Sequence, residues 1–247
     1  MEQLASALEA VRSAHFDAGG AACDYAALAA SPERAQLAEC LAGLTGYGLH
    51  GERVSAQMAF WINVFNAGAL RDASELQGAK HAREVQGFFE RRRLTVGGLG
   101  YSLDDIEHGL LRGNVAKPGR LRAPMQRGDP RLASMPIVFD ERIHFALHSA
   151  CHSSPPLRVY LYGWLDRQLE DATASYIRQA VRVEKQGALI VVPRLFKWFA
   201  QDFGGESGIV EFVVARIEDE AVVDMVDKRL GRVKLQYAEF DWTLNRR

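Results

Sequence analysis

The stretch from 55 to 73 constrains this chain most. Read as a helix, residues 56–70 (AQMAFWINVFNAGAL) are apolar all round. A helix with no polar face has to be covered on every side, so it belongs inside a core. Asn63 and Asn66 interrupt it and lie ~60° apart on the wheel. Each carboxamide must find hydrogen bonds in the interior, either by tying loops to the core or by facing a site.

The rest of the chain can build that core. Its 247 residues fit one large domain or two small ones, enough to bury a sizeable interior without staples. Apolar residues at 48% and charged residues at 25% exclude a disordered chain, a collagen-like fibre and a disulfide scaffold. Lys+Arg 30 against Asp+Glu 31 gives a net charge of -1, so nothing electrostatic points to nucleic acid or an acidic membrane. Cys23, Cys40 and Cys151 form no CxxC pair, which excludes a zinc ribbon and argues against a disulfide framework. The opening MEQLASALEAVRSAHF lacks the basic and apolar regions of a signal peptide. No apolar run approaches the ~18 residues of a membrane span. The expected compartment is the cytoplasm.

Periodicity predicts an amphipathic helix over 2–15, then a helix from Ser31-Pro32-Glu33 to about Leu44. The buried helix follows, and 92–102 (RRLTVGGLGYS) reads as a hairpin turning at Gly97-Gly98. Ser102 caps a short helix reaching about Arg112, with Asp105 at its third position. Residues 113–136 read as a long surface loop, and Ile143 to Leu147 as a strand. Helices are expected over 165–180, from Pro193 to Phe203 and over about 207–217, with strands at 189–192 and 233–237. The fold class is α+β in a single domain: helices on a small, mostly antiparallel sheet, with residues 1–50 as an N-terminal helical part in front of the part over 51–247.

Several polar residues sit oddly in this pattern. On an α-helical wheel Glu107 falls inside the apolar arc of Leu103, Ile106, Leu110 and Leu111, with His108 on its border. A carboxylate facing a core needs a partner or a raised pKa. Asp202 falls in the apolar arc of Leu195, Trp198, Phe199 and Phe203 in the same way. On the strand, His144, Ala146 and His148 share one face. The strand runs into HSACHSSPPLR (148–158), the stretch richest in nucleophiles and bases, with Ser149, Cys151, His152, Ser153 and Ser154.

Five blocks in order, FWINVFNA (60–67), SLDDIEHGLLR (102–112), IHFALHSACHSSPPLR (143–158), LFKWFAQDF (195–203) and DWTLN (241–245), resemble the family called domain of unknown function 547. The resemblance covers roughly 50–247 and implies a bacterial or plant α+β domain, with no settled reaction. Family members commonly read HFAL-x-CG-x-x-SCPPL, which puts the two family cysteines on Ser149 and Ser154. The HSSP stretch resembles plant members, which look like interaction proteins joined to coiled coils. Asn63, Asn66, Glu107, His108, His144, Pro155, Arg158, Lys197 and Asp202 fit the family pattern.

Two classes of function follow. One is an acyl-transfer or hydrolytic enzyme acting on an amide, ester or thioester. Its nucleophile would be Cys151, Ser149 or Ser154, its base His144 or His108, and the group orienting the base Glu107 or Asp202. Asn63, Asn66, Arg158 and Asp202 would contact substrate, and Asn63 or a loop N–H would hold an oxyanion. Papain- and transglutaminase-like folds host such Cys/His/acid sets, a link by analogy. The other class is a binding or scaffold module that has lost the family's cysteines. The ligand in either case is a small molecule, a peptide or a carrier-bound acyl group. His144, His148 and His152 do not make a metal site on a strand, where the first two would stand ~13 Å apart. No cofactor motif occurs, and no cofactor is expected.

Overall fold

A computed structural model describes residues 1–49, 51–76, 78–184, 188–229 and 233–247. The apolar stretch is a helix, and every residue from Met58 to Leu70 is buried. Three helices come before it: α1 (Glu2–His15), the short α2 (Tyr25–Ala29) and α3 (Pro32–Gly43). The buried helix is therefore α4 (Val54–Ala73). Helices α1 and α3 pack on each other and on α4, burying Leu4, Leu8, Val11, Leu37 and Leu41. The start of α3 is fixed as the sequence predicts: Ser31 Oγ accepts from the Arg34 N–H at 3.1 Å, and Pro32 fills the first turn, where its missing donor costs nothing.

The hairpin joins β1 (Leu94–Val96) to β2 (Leu99–Tyr101), with Val96 opposite Leu99. Gly97 and Gly98 turn it at φ of 57° and 76°, the left-handed pair a two-residue hairpin needs. Trp61 of α4 packs on Tyr101 of β2, ring centroids 4.9 Å apart, and donates its indole N–H to Ser134 O at 2.8 Å. The long loop from 113 is broken by a 3₁₀ turn over Pro130–Ser134.

Helix α5 (Leu165–Ala180) carries the expected apolar stripe, with Leu165, Leu169, Ala172 and Tyr176 buried. Then come β3 (Arg182–Glu184), β4 (Leu189–Val192), α6 (Leu195–Trp198), α7 (Gly205–Val214), α8 (Glu220–Arg229) and β5 (Lys234–Tyr237). Strand β4 lies between β3, antiparallel to it, and β5, parallel to it. The chain forms two compact units: Met1–Leu169 with Trp242–Arg247, and Glu170–Asp241. The first holds the hairpin and the α4 core. The second holds the three-stranded sheet and a ring cluster in which Phe203 lies 4.8 Å from Phe196 and 5.0 Å from Phe212. The fold is α+β, helices with small sheets in which, among the described residues, two of the three strand pairings are antiparallel.

Three local expectations need correction. Residues 143–147 are not a strand: Glu141–Phe145 is a 3₁₀ turn, opened by Asp140 accepting from the Arg142 N–H at 3.0 Å. A short apolar run does not reveal its period, and here 143–148 are all buried, with no exposed face to alternate. The helix to 203 breaks at Phe199, where α6 gives way to a 3₁₀ turn over Ala200–Phe203. The α-helical wheel does not carry across that break, and Asp202 is half-exposed rather than buried. Asp105–Leu111 is a π-helix, in which the Arg112 N–H donates to Glu107 O, five residues back, at 2.9 Å. With more residues per turn the wheel angles shift. His108 is buried and Glu107 only partly so, the reverse of the wheel's order.

Candidate functional site

Two polar constellations lie in the first unit. The first is built on the segment after the 3₁₀ turn. Asn66 of α4, wholly buried, donates to Ala146 O at 3.0 Å and accepts from the His148 N–H at 2.8 Å. It serves as the backbone partner that a neighbouring strand would otherwise supply. One turn earlier, Asn63 does the same for Tyr160, donating to its carbonyl at 2.7 Å and accepting from its N–H at 3.0 Å. The two asparagines pin both ends of the 146–160 segment to the central helix.

Between those pins the segment closes on itself and on the chain end. His148 is fully buried and its Nδ1 lies 2.7 Å from Pro155 O. A carbonyl only accepts, so the ring proton sits on Nδ1. Nε2 then faces the Asn245 amide nitrogen at 3.4 Å. Burial drives the His148 pKa down to about 4, against the opposing pull of the Pro155 carbonyl. Asn245 also donates to Ala21 O at 2.6 Å and accepts from the Tyr25 hydroxyl at 2.7 Å. Cys151 is 1% exposed and pairs with Leu244 in an antiparallel bridge. Cys23, bridged to Phe16 and Arg246, has its thiol pKa pushed up to about 12, first by burial and then by the Asp24 carboxylate. Ser154 Oγ, buried, accepts from the Ser149 N–H at 2.6 Å. One irregularity remains: Ala150 is held at φ 56°, where a side chain costs roughly 1 kcal/mol or more and where strain tends to mark function.

The second constellation surrounds the π-helix. Ser102 and Asp105 form the expected reciprocal cap: Ser102 Oγ accepts from the Asp105 N–H at 2.9 Å, and the Asp105 carboxylate from the Ser102 N–H at 3.0 Å. That carboxylate also pairs with Arg131 at 2.8 Å and Arg92 at 3.1 Å. Asp104 pairs with Lys117 at 2.7 Å. Burial raises the Asp104 pKa, with Lys117 opposing. Burial works against the Lys117 ammonium, but Asp104 and Glu90 outweigh it and its pKa is raised. Behind them, Arg112 donates to His108 Nδ1 at 3.1 Å, so the imidazole proton sits on Nε2, facing Asp104 at 3.8 Å. Glu107 lies 4.0 Å from Nδ1. In front, Glu90, Arg92, Ser102, Asp104, Asp105 and Pro124 line an open cleft of about 480 Å³.

Glu107 and His108 thus belong to the π-helix group, and Ser149, Cys151 and Ser154 to the closed segment. His144 is buried in the 3₁₀ turn, with Phe139 edge-on to its ring at 6.5 Å. Arg158 is half-buried near Tyr160, whose phenol burial pushes up while the guanidinium pulls it down. Asp202 lies in the second unit. Among the described residues no group of three His, Cys, Asp or Glu is placed to hold a metal ion, and no helix is long and apolar enough to cross a membrane. The sequence reading passed over Tyr25, Asp104, Arg112 and Lys117. Arg112 was legible as the i+4 neighbour of His108, whereas Tyr25 reaches Asn245 only through tertiary folding.

This is an α+β chain whose first unit is centred on a buried helix and a π-helical charged cluster. It belongs to the family described as "Protein of unknown function, DUF547", whose model matches residues 52–177, just over half its length. No curated protein and no solved structure matches it.

Proposed function

We propose that this chain is a non-catalytic binding module, taking a small polar ligand or chain segment in the cleft before the π-helix. The observation that carries the reading is the closure of 148–157. Its thiol is sealed, Ser154 Oγ is engaged by the Ser149 N–H, and the His148 ring is neutral with Nδ1 committed to Pro155 O. A nucleophile needs an accessible lone pair and a base with a free nitrogen, whereas Cys151 is buried and Ser154 and His148 are engaged by backbone groups. The cleft, by contrast, presents both signs of charge: Arg92, with its side chain 57% exposed, and Glu90, 56% exposed. The ligand class that suits it carries an anion and a cation a few ångströms apart, as the ends of a short peptide do. Three free thiols fit a reducing compartment, and we place the protein in the cytoplasm.

A thermal-shift series with free dipeptides tests the reading. A ligand at 100 times its Kd adds about 2.7 kcal/mol, which raises the Tm of a chain this size by roughly 5–10 °C. Arg92→Ala abolishes that rise. Absence of any shift across the dipeptides, or an unchanged shift in Arg92→Ala, overturns the reading.

A second reading rests on the π-helix itself, since π-helical turns recur at functional sites. In it Glu107 and His108 activate water for hydrolysis of an amide, ester or thioester. Turnover of a p-nitrophenyl ester that disappears in His108→Gln, with the fold intact, selects this reading over binding alone.

A further inference from the structure

The largest exposed apolar side chains of the first unit fall mostly in two short runs. One is Ile137, Val138 and Phe139, exposed by 84%, 54% and 39%. The other is Leu161, Tyr162 and Trp164, exposed by 45%, 54% and 61%. Arg142 brings the runs together: its guanidinium pairs with Asp140, next to Phe139, at 2.8 Å, and with Asp166, two residues past Trp164, at 2.7 Å. The second run is held in place by hydrogen bonds. The side chain of Gln168 accepts from the Leu161 N–H and donates to Val159 O, each at 2.8 Å, and the Trp164 N–H donates to Leu161 O at 2.9 Å.

We infer that this surface is where two copies of the chain associate. Isolated exposed apolar residues are ordinary, but a group of six with three aromatic rings has the composition of an interface centre. With an aromatic side chain burying 150–250 Å², the six at these exposures offer roughly 600 Å². Two copies face to face then bury about 1,200 Å², the lower edge of specific interfaces. The order already present at Leu161–Trp164 lowers the entropy lost on docking. Charge at the rim selects a second copy over a lipid surface. Asp140 and Asp166, the latter with its side chain 91% exposed, alternate with Arg142 and Arg167. A two-fold axis brings such a mixed rim onto its own complement, whereas anionic headgroups would meet the two carboxylates. The inference does not depend on what the cleft binds.

Sedimentation velocity from about 1 µM to 1 mM tests it, with Kd expected in the micromolar range for an interface of this size. The weight-average mass of the wild type rises from 27.4 kDa towards twice that value. Trp164→Lys and Ile137→Lys, at exposed positions that leave the core untouched, each weaken association at least tenfold while the melting curve stays in place. A wild type that remains monomeric at 1 mM overturns the inference. So do variants that associate as tightly as the wild type, and so does a monomer that instead cosediments with phosphatidylserine vesicles through Trp164.

Discussion

Asn66→Ala lowers the unfolding free energy by about 3–5 kcal/mol. The side chain is wholly buried and makes two hydrogen bonds to backbone eighty residues away, one to Ala146 O and one from the His148 N–H. Truncation leaves a carbonyl and an amide N–H in an apolar interior, each costing about 1–3 kcal/mol. Asn66→Asp keeps the acceptor for the His148 N–H but, like alanine, offers Ala146 no donor, and it buries a charge against that carbonyl. Urea unfolding measures both. A loss below 1 kcal/mol for the alanine variant would mean that the 3₁₀ turn and the 148–157 segment hold their shape without the central helix.

The second large effect is on pH. Unfolded histidine titrates near the ordinary value of 6.5, whereas folded His148 titrates near 4 because its ring is buried. Between those values the unfolded chain binds a proton that the native chain refuses, so lowering the pH favours unfolding. The contribution of His148 is complete above pH 6.5, falls through the window from 6.5 to 4, and levels off below it. Its size is about 3 kcal/mol, from 1.36 kcal/mol per unit. Protonation would also turn Nε2 into a donor against the Asn245 amide nitrogen, 3.4 Å away. His148→Gln removes the titration, and the wild-type advantage over it shrinks by that amount between pH 7 and pH 4. Parallel stability curves for the two proteins across that range would show that His148 is solvated.

These two residues also show what could be read from the sequence. The asparagines were visible because an all-apolar helix leaves an amide nowhere to hide, and the structure gives both the interior partners that reasoning requires. The capping of α3, the Gly97-Gly98 hairpin and the Ser102–Asp105 reciprocal cap were equally legible, being decided within a few residues. What failed was the assumption of one period per segment. Glu107 and His108 exchanged places because the helix is π, and His144 lost its strand face because 143–148 is buried throughout. The reading of Asp202 failed at the α6 break. The role of Asn245 was out of reach, since its partners Ala21, Tyr25 and His148 come from two distant parts of the chain. Chemistry-rich composition at 148–154 looked like a site. In the fold His148 and Ser154 bind backbone groups and Cys151 is buried.

Alkylation of the native protein by iodoacetamide at graded pH, with the modified cysteines located by mass spectrometry, decides whether that segment is structural. Cys40 is partly exposed, whereas Cys23 and Cys151 are buried. The thiolate is the reactive form, and access gates its reaction. Cys40 is labelled first as the pH rises to 8, and Cys151 resists until denaturant unfolds the chain, together with Cys23. Labelling of Cys151 in the folded protein at pH 6, ahead of Cys40, would contradict this account and restore a thiolate nucleophile to residues 149–154.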